Sequence, residues 1–300
     1  MAENKDNETV LLFGREFTAL DLWIVTETVR RFPQLSRTEL ANTICENLQW
    51  VAPNGRNKVE SCIQLLERLN SEDKIRLPKK RRPGNQTSRR VVPTSKTDAP
   101  AGIACSLADS GVELKPVLDR SEVSLWNQYV ERYHILGYRQ PFGAHQRYFI
   151  LSSDERYLGC ILFSAAAWAL EARDQWIGWT ETDRSKRLHL VVNNTRFLIF
   201  PWVQVKNLAS KALSLAAKRI GYDWQDRYGY RPVLLETFVD PEEYRGTCYK
   251  AANWIMLGWT AGRGRMDRYK QYPSSPKHIY VYPLNRDFRA ILRGESGGGQ

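Results

Sequence analysis

A chain of 300 residues, 42% hydrophobic and 26% charged, has the mixture of an ordinary globular protein with a real core, which excludes a disordered chain and a single small module. Its formal net charge of +11 favours a polyanionic partner, because a cationic surface that meets phosphate releases counterions; nucleic acid stands first and an acidic membrane surface second. No run approaches the roughly 18 apolar residues of a membrane span, and the opening MAENKDNETVLLF lacks the pattern of a signal peptide, so a cytoplasmic protein with no membrane partner is expected. The cysteines Cys45, Cys62, Cys105, Cys160 and Cys248 lie far apart with no C-x-x-C pair. That argues against a disulfide framework or a zinc ribbon and predicts reduced, mostly buried thiols.

Helix punctuation is clear near the start. Thr18-Ala-Leu-Asp21 and Ser36-Arg-Thr-Glu39 fit the capping box, in which a hydroxyl and the carboxylate three residues on each cover an end-of-helix amide. They predict helices over Thr18–Phe32 and Ser36–Leu48. A third, over Asn57–Leu69, puts Val59, Cys62, Ile63, Leu66 and Leu69 on one face and precedes an alternating strand, Lys74–Leu77. Three short helices and a terminal strand predict a winged helix-turn-helix-like module over residues 1–78, in which the third helix enters a major groove. Its outward residues are Lys58, Glu60, Gln64 and Arg68, with Arg56 just before it. Helix packing or dimerisation is the other use of such a module. Residues 79–112 then read as a basic, Pro-rich linker in which Lys79, Lys80, Arg81, Arg82, Arg89 and Arg90 either follow a phosphate backbone or keep the linker soluble.

From residue 113 to 300 strands and helices alternate, which predicts a mixed α/β domain. Strands are expected over Tyr148–Leu151 and Leu158–Phe163, then a helix over Ala165–Arg173. Two more strands, Arg187–Val192 and Thr195–Phe200, flank a turn at Asn193-Asn194, before an apolar helix over Leu208–Ile220. The nearly continuous apolar run Pro232–Val239 predicts a strand in the middle of the sheet, followed by a helix over Tyr249–Met256 and a final strand over Ile279–Tyr282.

The ordered motifs YHILGY, RYFILSS, RDQWIGW, NTRFLIFPWVQVKNLAS, LLETFVD and GTCYKAANWIMLGWTAGRGR resemble the DruA family, the A component of the Druantia anti-phage defence system, over roughly Leu118–Leu284. The resemblance implies a role in defence against phage, beside a helicase-like partner; with the basic charge and the helical module it gives the expectation of a protein that binds foreign or unusual DNA, duplex, distorted or single-stranded. It implies no settled chemistry. Gln204-Val-Lys-Asn-Leu-Ala209, between a strand and a helix, is in turn similar to the acyl-CoA turn of GNAT acetyltransferases, with pattern Q/R-x-x-G-x-G/A. That resemblance implies a GNAT-like fold and a site for acetyl-CoA or a related acyl-CoA at Gln204, Lys206, Asn207, Ala209 and Ser210. Asn207 stands where glycine is expected, and asparagine tolerates a left-handed backbone better than most residues. The stretch GTCYKAANWIMLG resembles the terminal motif of GNAT enzymes and of the DNA-modifying Mom family. It implies Tyr249 as general acid for a departing thiolate, with Asn253 one helical turn on.

Other polar residues need a partner or a role. Glu236 interrupts an apolar strand, which is costly unless its carboxylate is paired or faces a cavity, and Asp240 follows at that strand's carboxyl end. Either is a candidate general base; a structural pair of Glu236 with Arg196 or Arg173 is the alternative. His134 is a candidate proton shuttle or a structural histidine. Asp174, Glu236 and Asp240 around magnesium would make a transposase-like nuclease, but no metal-ligand spacing appears, and no metal is expected. The turn Thr260–Arg265 offers Arg263 and Arg265 to phosphate, with Arg196 as a further nucleic-acid contact. Trp176, Trp179, Trp202 and Trp259 either stack on unpaired bases or pack the core.

Overall fold

The computed structural model of the protein describes residues 9–33, 35–53, 56–79, 91–100, 102–105, 111–141, 143–262 and 275–295. They form two compact units, one centred on residues 9–79 and the other on 91–141, 145–262 and 275–295.

In the first unit Val10–Leu12 (β1) and Arg15–Phe17 (β2) pair as an antiparallel hairpin. Helices α1 (Ala19–Arg31), α2 (Arg37–Asn47) and α3 (Val59–Ser71) follow. Both expected capping boxes form: the Thr18 and Ser36 side chains accept from Asp21 N and Glu39 N, while those two carboxylates accept from the Thr18 and Ser36 amides. A cap of this kind stabilises a helix by about 1 kcal/mol. The helices close on Val25 and Val29 of α1, Leu40, Ala41 and Ile44 of α2, and Cys62, Leu65, Leu66 and Leu69 of α3, all buried. The strand expected over Lys74–Leu77 does not form. Lys74 N donates to Leu69 O (3.0 Å) and Leu77 N to the Asn70 side chain (2.8 Å), so these amides finish α3 instead of joining a ladder. The link from α2 to α3, Leu48 to Lys58, also carries a bridge between Val51 and Asn57, and is longer than the short turn the motif requires.

The second unit is built on a seven-stranded mixed sheet in the order β10-β11-β9-β7-β6-β5-β4. Its strands are β4 (Glu113–Pro116), β5 (His145–Leu151), β6 (Tyr157–Ala165), β7 (Val191–Ile199), β9 (Leu234–Val239), β10 (Ile255–Trp259) and β11 (His278–Pro283). A separate parallel pair joins β3 (Ile103–Cys105) to β8 (Val203–Val205). Helix α4 (Arg120–Tyr133) lies on one face, with Trp126 Nε1 donating to Tyr148 O (3.0 Å). Helix α7 (Leu208–Tyr228) lies on the other, where the Tyr148 hydroxyl donates to Asp223 Oδ2 (2.6 Å). Parallel strands need a crossover, and α7 supplies it between β7 and β9. Short helices α5 (Glu171–Ile177), α6 (Glu181–Arg187), α8 (Thr247–Ala251) and α9 (Phe288–Arg293) complete the unit. No described helix is long and apolar enough to cross a membrane. Cys45, Cys62 and Cys160 are buried thiols and Cys248 is half-buried.

Three expectations for this unit change. The alanine run at 165–167 has high helix propensity, yet Ala165 ends β6 and α5 starts only at Glu171. Glu236 Oε1 accepts from Ala167 N (2.8 Å) across the fold, and Asp174 Oδ2 accepts from Leu170 N (3.1 Å) at the helix start, so one tertiary and one local bond hold this segment out of the helix up to Glu171. Asn193-Asn194 is not a turn between two strands. β7 runs straight through it, and pairing with β6 shifts register between Leu162 and Phe163. Asn194 Nδ2 donates to Leu162 O and Arg196 O (both 3.1 Å), so the side chain stabilises a β-bulge. Finally, the helix carrying Tyr249 ends at Ala251, and Ile255 already pairs with Val281 in the sheet.

Candidate functional site

Two parallel strands that separate leave a wedge between them, and β7 and β9 do so. They pair only from Val191–Asn193 to Leu234–Glu236, although β7 continues to Ile199 and β9 to Val239. The first residues past the last pair are Asn194 and Thr237. Thr237 Oγ1 donates to Asn194 O (2.9 Å), and the Tyr249 hydroxyl donates to Asn194 Oδ1 (2.7 Å). Tyr249 stacks on Tyr280 of β11 at 5.6 Å and meets Trp254 edge-on at 5.1 Å. Burial pushes the phenol well above its ordinary pKa, so it is a proton donor throughout the neutral range. Gly246, at φ 67°, precedes α8, and a Cβ there would lie 2.5 Å from the Tyr280 hydroxyl. Only glycine lets the chain enter α8 this closely. Thus sequence reading finds Tyr249 but misses Asn194 and Thr237. The available signal was a pair of asparagines inside an otherwise apolar run.

The turn that leads into α7 has the backbone its sequence allows. Asn207 is left-handed (φ 61°, ψ 8°) and precedes a 21-residue helix without a side-chain cap. Its carbonyl accepts from Lys211 N (3.0 Å) and from the Ser210 hydroxyl (3.0 Å). The first helical amides, those of Leu208, Ala209 and Ser210, have no acceptor within the helix, and this is the arrangement that receives phosphate groups. Gln204 and Lys206 are exposed, while Ala209 and Ser210 are half-buried. Gln204 lies on β8 opposite Ala104 of β3.

Glu236 is fully buried and its two oxygens are engaged: Oε1 by Ala167 N, Oε2 by Arg173 Nη1 (2.8 Å). Arg173, itself 0% exposed, also grips Asp174 Oδ1 through Nε (2.9 Å) and Nη2 (2.8 Å). Asp174 then accepts from Trp179 Nε1 (3.0 Å) and Arg184 Nη1 (3.1 Å). Burial alone would depress the Arg173 guanidinium, and the Glu236 and Asp174 carboxylates reverse it. Of the alternatives open from the sequence, the partner of Glu236 is therefore Arg173. In the magnesium constellation, a guanidinium joins Asp174 to Glu236. Asp240 accepts from the Ser275 hydroxyl (2.9 Å) and Glu242 N (3.2 Å).

Asn253 lies beyond the end of α8, exposed and left-handed at φ 62°, so it does not share a helical face with Tyr249. His134 follows α4; its Nδ1 accepts from Leu136 N (3.1 Å). Burial and then the Arg196 charge lower its pKa to about 4, which keeps the imidazole neutral at neutral pH.

Among the basic residues, Arg56 and Lys79 are exposed and Lys58 is half-buried at the start of α3. Lys80, Arg81, Arg82, Arg89, Arg90, Arg263 and Arg265 lie outside the described residues. Arg196 is half-buried on β7. Trp176 stacks on Phe288 (5.0 Å), Trp202 on Phe200 (4.9 Å), and Trp179 is buried; Trp259 on β10 is 54% exposed and is the most available of the four for stacking.

The sequence profile of the family described as Druantia protein DruA matches residues 69–275. No curated protein matches the chain. Among solved structures the chain is similar to spermidine N-acetyltransferase from Vibrio cholerae in complex with CoA and spermine, at 10% identity and a TM-score of 0.39, over 58% of this chain and 95% of that one. It is also similar to SpeG from the same organism in complex with manganese ions, at 9% identity and a TM-score of 0.37, over 62% and 97%.

Proposed function

The chain belongs to the DruA family of Druantia proteins, which implies anti-phage defence, and from that premise we propose that it is the DNA-binding component of such a defence. It engages foreign or unusual DNA in the cytoplasm and works beside a helicase-like partner. One observation carries this reading: within a chain of net charge +11, the α/β unit holds Arg147, 5% exposed, and the half-buried Arg196 without a carboxylate partner among the described residues. Unpaired buried charge is costly, and a polyanion supplies what the chain does not. Fluorescence anisotropy with a labelled oligonucleotide, at 50 and 200 mM salt, tests it. About four phosphate contacts give a slope near −3.6 in log K against log salt, or about a 150-fold loss over that range. Binding that is absent, or indifferent to salt, sinks the reading.

A second reading, acyl transfer from acetyl-CoA or a related acyl-CoA to a nucleobase or protein, is favoured by the left-handed Asn207 at the start of α7 together with the Tyr249 phenol at the strand split. Lys206 and the amides of Ala209 and Ser210 would hold the diphosphate, and the bound thioester would supply the acyl group. Tyr249 would donate its proton to the leaving sulfur. Glu236 is given no role as base here, because both its oxygens are engaged. Native mass spectrometry of the purified protein with acetyl-CoA is expected to detect a CoA complex, and DNA or protein incubated with both should gain one acyl mass that Tyr249→Phe abolishes. No complex and no mass gain removes this reading and leaves the first intact.

A further inference from the structure

Cross-strand register sets three residues in one row across the sheet: Arg147 of β5 stands opposite Leu162 of β6, and Leu162 opposite Arg196 of β7. Directly opposed residues point to one face, and strands lie about 4.8 Å apart, so the two arginines leave the sheet about 10 Å from one another. The face is that of α4. The Arg147 guanidinium lies 5.5 Å from the Trp126 ring centre, and Arg196 Nε donates to Gly137 O (3.1 Å) in the segment that follows α4. Leu162, 2% exposed, is the floor between them.

What this row lacks, among the described residues, is negative charge. Four other arginines of the unit are met by a carboxylate: Arg173 by Glu236, Arg184 by Asp174, Arg187 by Asp183 and Arg219 by Asp223. Arg147 Nε has no partner among the described residues, and Tyr138 is a hydrogen-bonding neighbour of its guanidinium. Arg196 donates to two main-chain carbonyls, Gly137 O and Thr195 O (2.7 Å). Glu131, at the end of α4, is occupied by the Tyr138 amide (2.8 Å). The surroundings add like charge. Burial lowers the pKa of both arginines, and Arg139 lowers that of Arg196 further, as Arg227 does that of Arg147. In the next row Asn193 Oδ1 is buried without a partner. From the exposed Arg139 through half-buried Arg196 to buried Arg147, cationic groups lead from the surface inward.

We propose that Arg147 and Arg196 form an enclosed site for a phosphate monoester, the terminal phosphate of a nucleic-acid strand. The charge fits, since a monoester carries close to two negative charges at neutral pH and two guanidiniums answer it with fork-shaped donors. Enclosure selects the end of a strand, because a backbone diester is flanked on both sides and cannot project as far as Arg147. The site deepens the DNA-binding reading and rests on it for its natural ligand.

The test uses the full chain and one single-stranded oligonucleotide made with a 5′-phosphate, a 3′-phosphate or hydroxyl ends, with inorganic phosphate as a separate probe in thermal unfolding. The expected result is at least ten-fold tighter binding of one phosphorylated form, a loss of that preference in Arg196→Gln, and a rise in unfolding temperature with inorganic phosphate that the variant lacks. Among the described residues the half-buried Arg196 donates only to carbonyls, so its replacement is expected to preserve the fold, where Arg147→Gln, at a buried position, is not. Equal affinity for all three oligonucleotides, without stabilisation by inorganic phosphate, overturns the site and leaves DNA binding standing. Stabilisation by inorganic phosphate without binding of any oligonucleotide overturns the terminal-phosphate assignment and the DNA-binding reading together, and leaves an anion site of another kind.

Discussion

Arg173→Met is expected to lower the unfolding temperature of the α/β unit by about 10 °C. The substitution leaves Asp174 provided for, since Trp179 Nε1 and Arg184 Nη1 still reach it. Glu236 keeps only Ala167 N on one oxygen, and its other oxygen becomes an unpaired charge at 0% exposure in the middle strands of the sheet. Breaking a buried pair by removing one partner costs about 3–5 kcal/mol, and a domain of this size loses about 2–4 °C per kcal/mol. The same physics predicts rescue: Arg173→Met with Glu236→Leu removes both charges and is expected to recover most of the loss, because an apolar pair of similar volume is often as stable as a buried ion pair. Scanning calorimetry of wild type and of the single and double variants reads this directly. A shift of less than 2 °C in the single variant, or no recovery in the double one, refutes it. The control matters for function, because any loss of activity in a Glu236 variant has to be separated from loosening of the strand pair that frames the wedge.

Features that a few adjacent residues determine were legible in the sequence. The hydroxyl and carboxylate of each capping box are three residues apart and contact only their own helix, so Thr18 and Ser36 mark their helix starts. Asn207 was legible for the same reason: its left-handed φ is a local property of asparagine in a strand-to-helix turn. The apolar run over Leu234–Val239 announced a strand buried on both faces. Non-local facts were not legible. A bulge exists only against a neighbouring strand, so Asn193-Asn194 reads as a turn until Leu162 O is there to accept from it. The alanines at 165–167 express helix propensity that the bond from Ala167 N to the distant Glu236 overrides. The choice of Arg173 over Arg196 as the partner of Glu236 depends on where α5 packs, the row that aligns Arg147 with Arg196 depends on strand register, and no periodicity encodes either. Asn253 was misplaced because the chain leaves α8 one turn earlier than its apolar pattern suggests.

Removing the Asn194 side chain is expected to cost about 3 kcal/mol, more than removing the Tyr249 hydroxyl that bonds to it. Asn194→Ala takes away the acceptor of the Tyr249 phenol and the donor to Leu162 O and Arg196 O, and each buried polar group left without a partner costs about 1–3 kcal/mol. Tyr249→Phe removes one donor and leaves one acceptor unpaired, for about 1–2 kcal/mol. Because the two groups share a bond, the double variant is expected to fall short of the sum by about 1 kcal/mol. Chemical denaturation of the four proteins gives this cycle. Strict additivity would mean that phenol and amide do not bond in solution, and would free Tyr249 for another partner at the strand split. The cycle also separates the two functional readings. If the junction is scaffold alone, DNA affinity follows stability in all four proteins. If the phenol serves as proton donor, Tyr249→Phe abolishes acyl transfer under conditions where the variant is folded and binds DNA as wild type does, and no loss of stability accounts for that result.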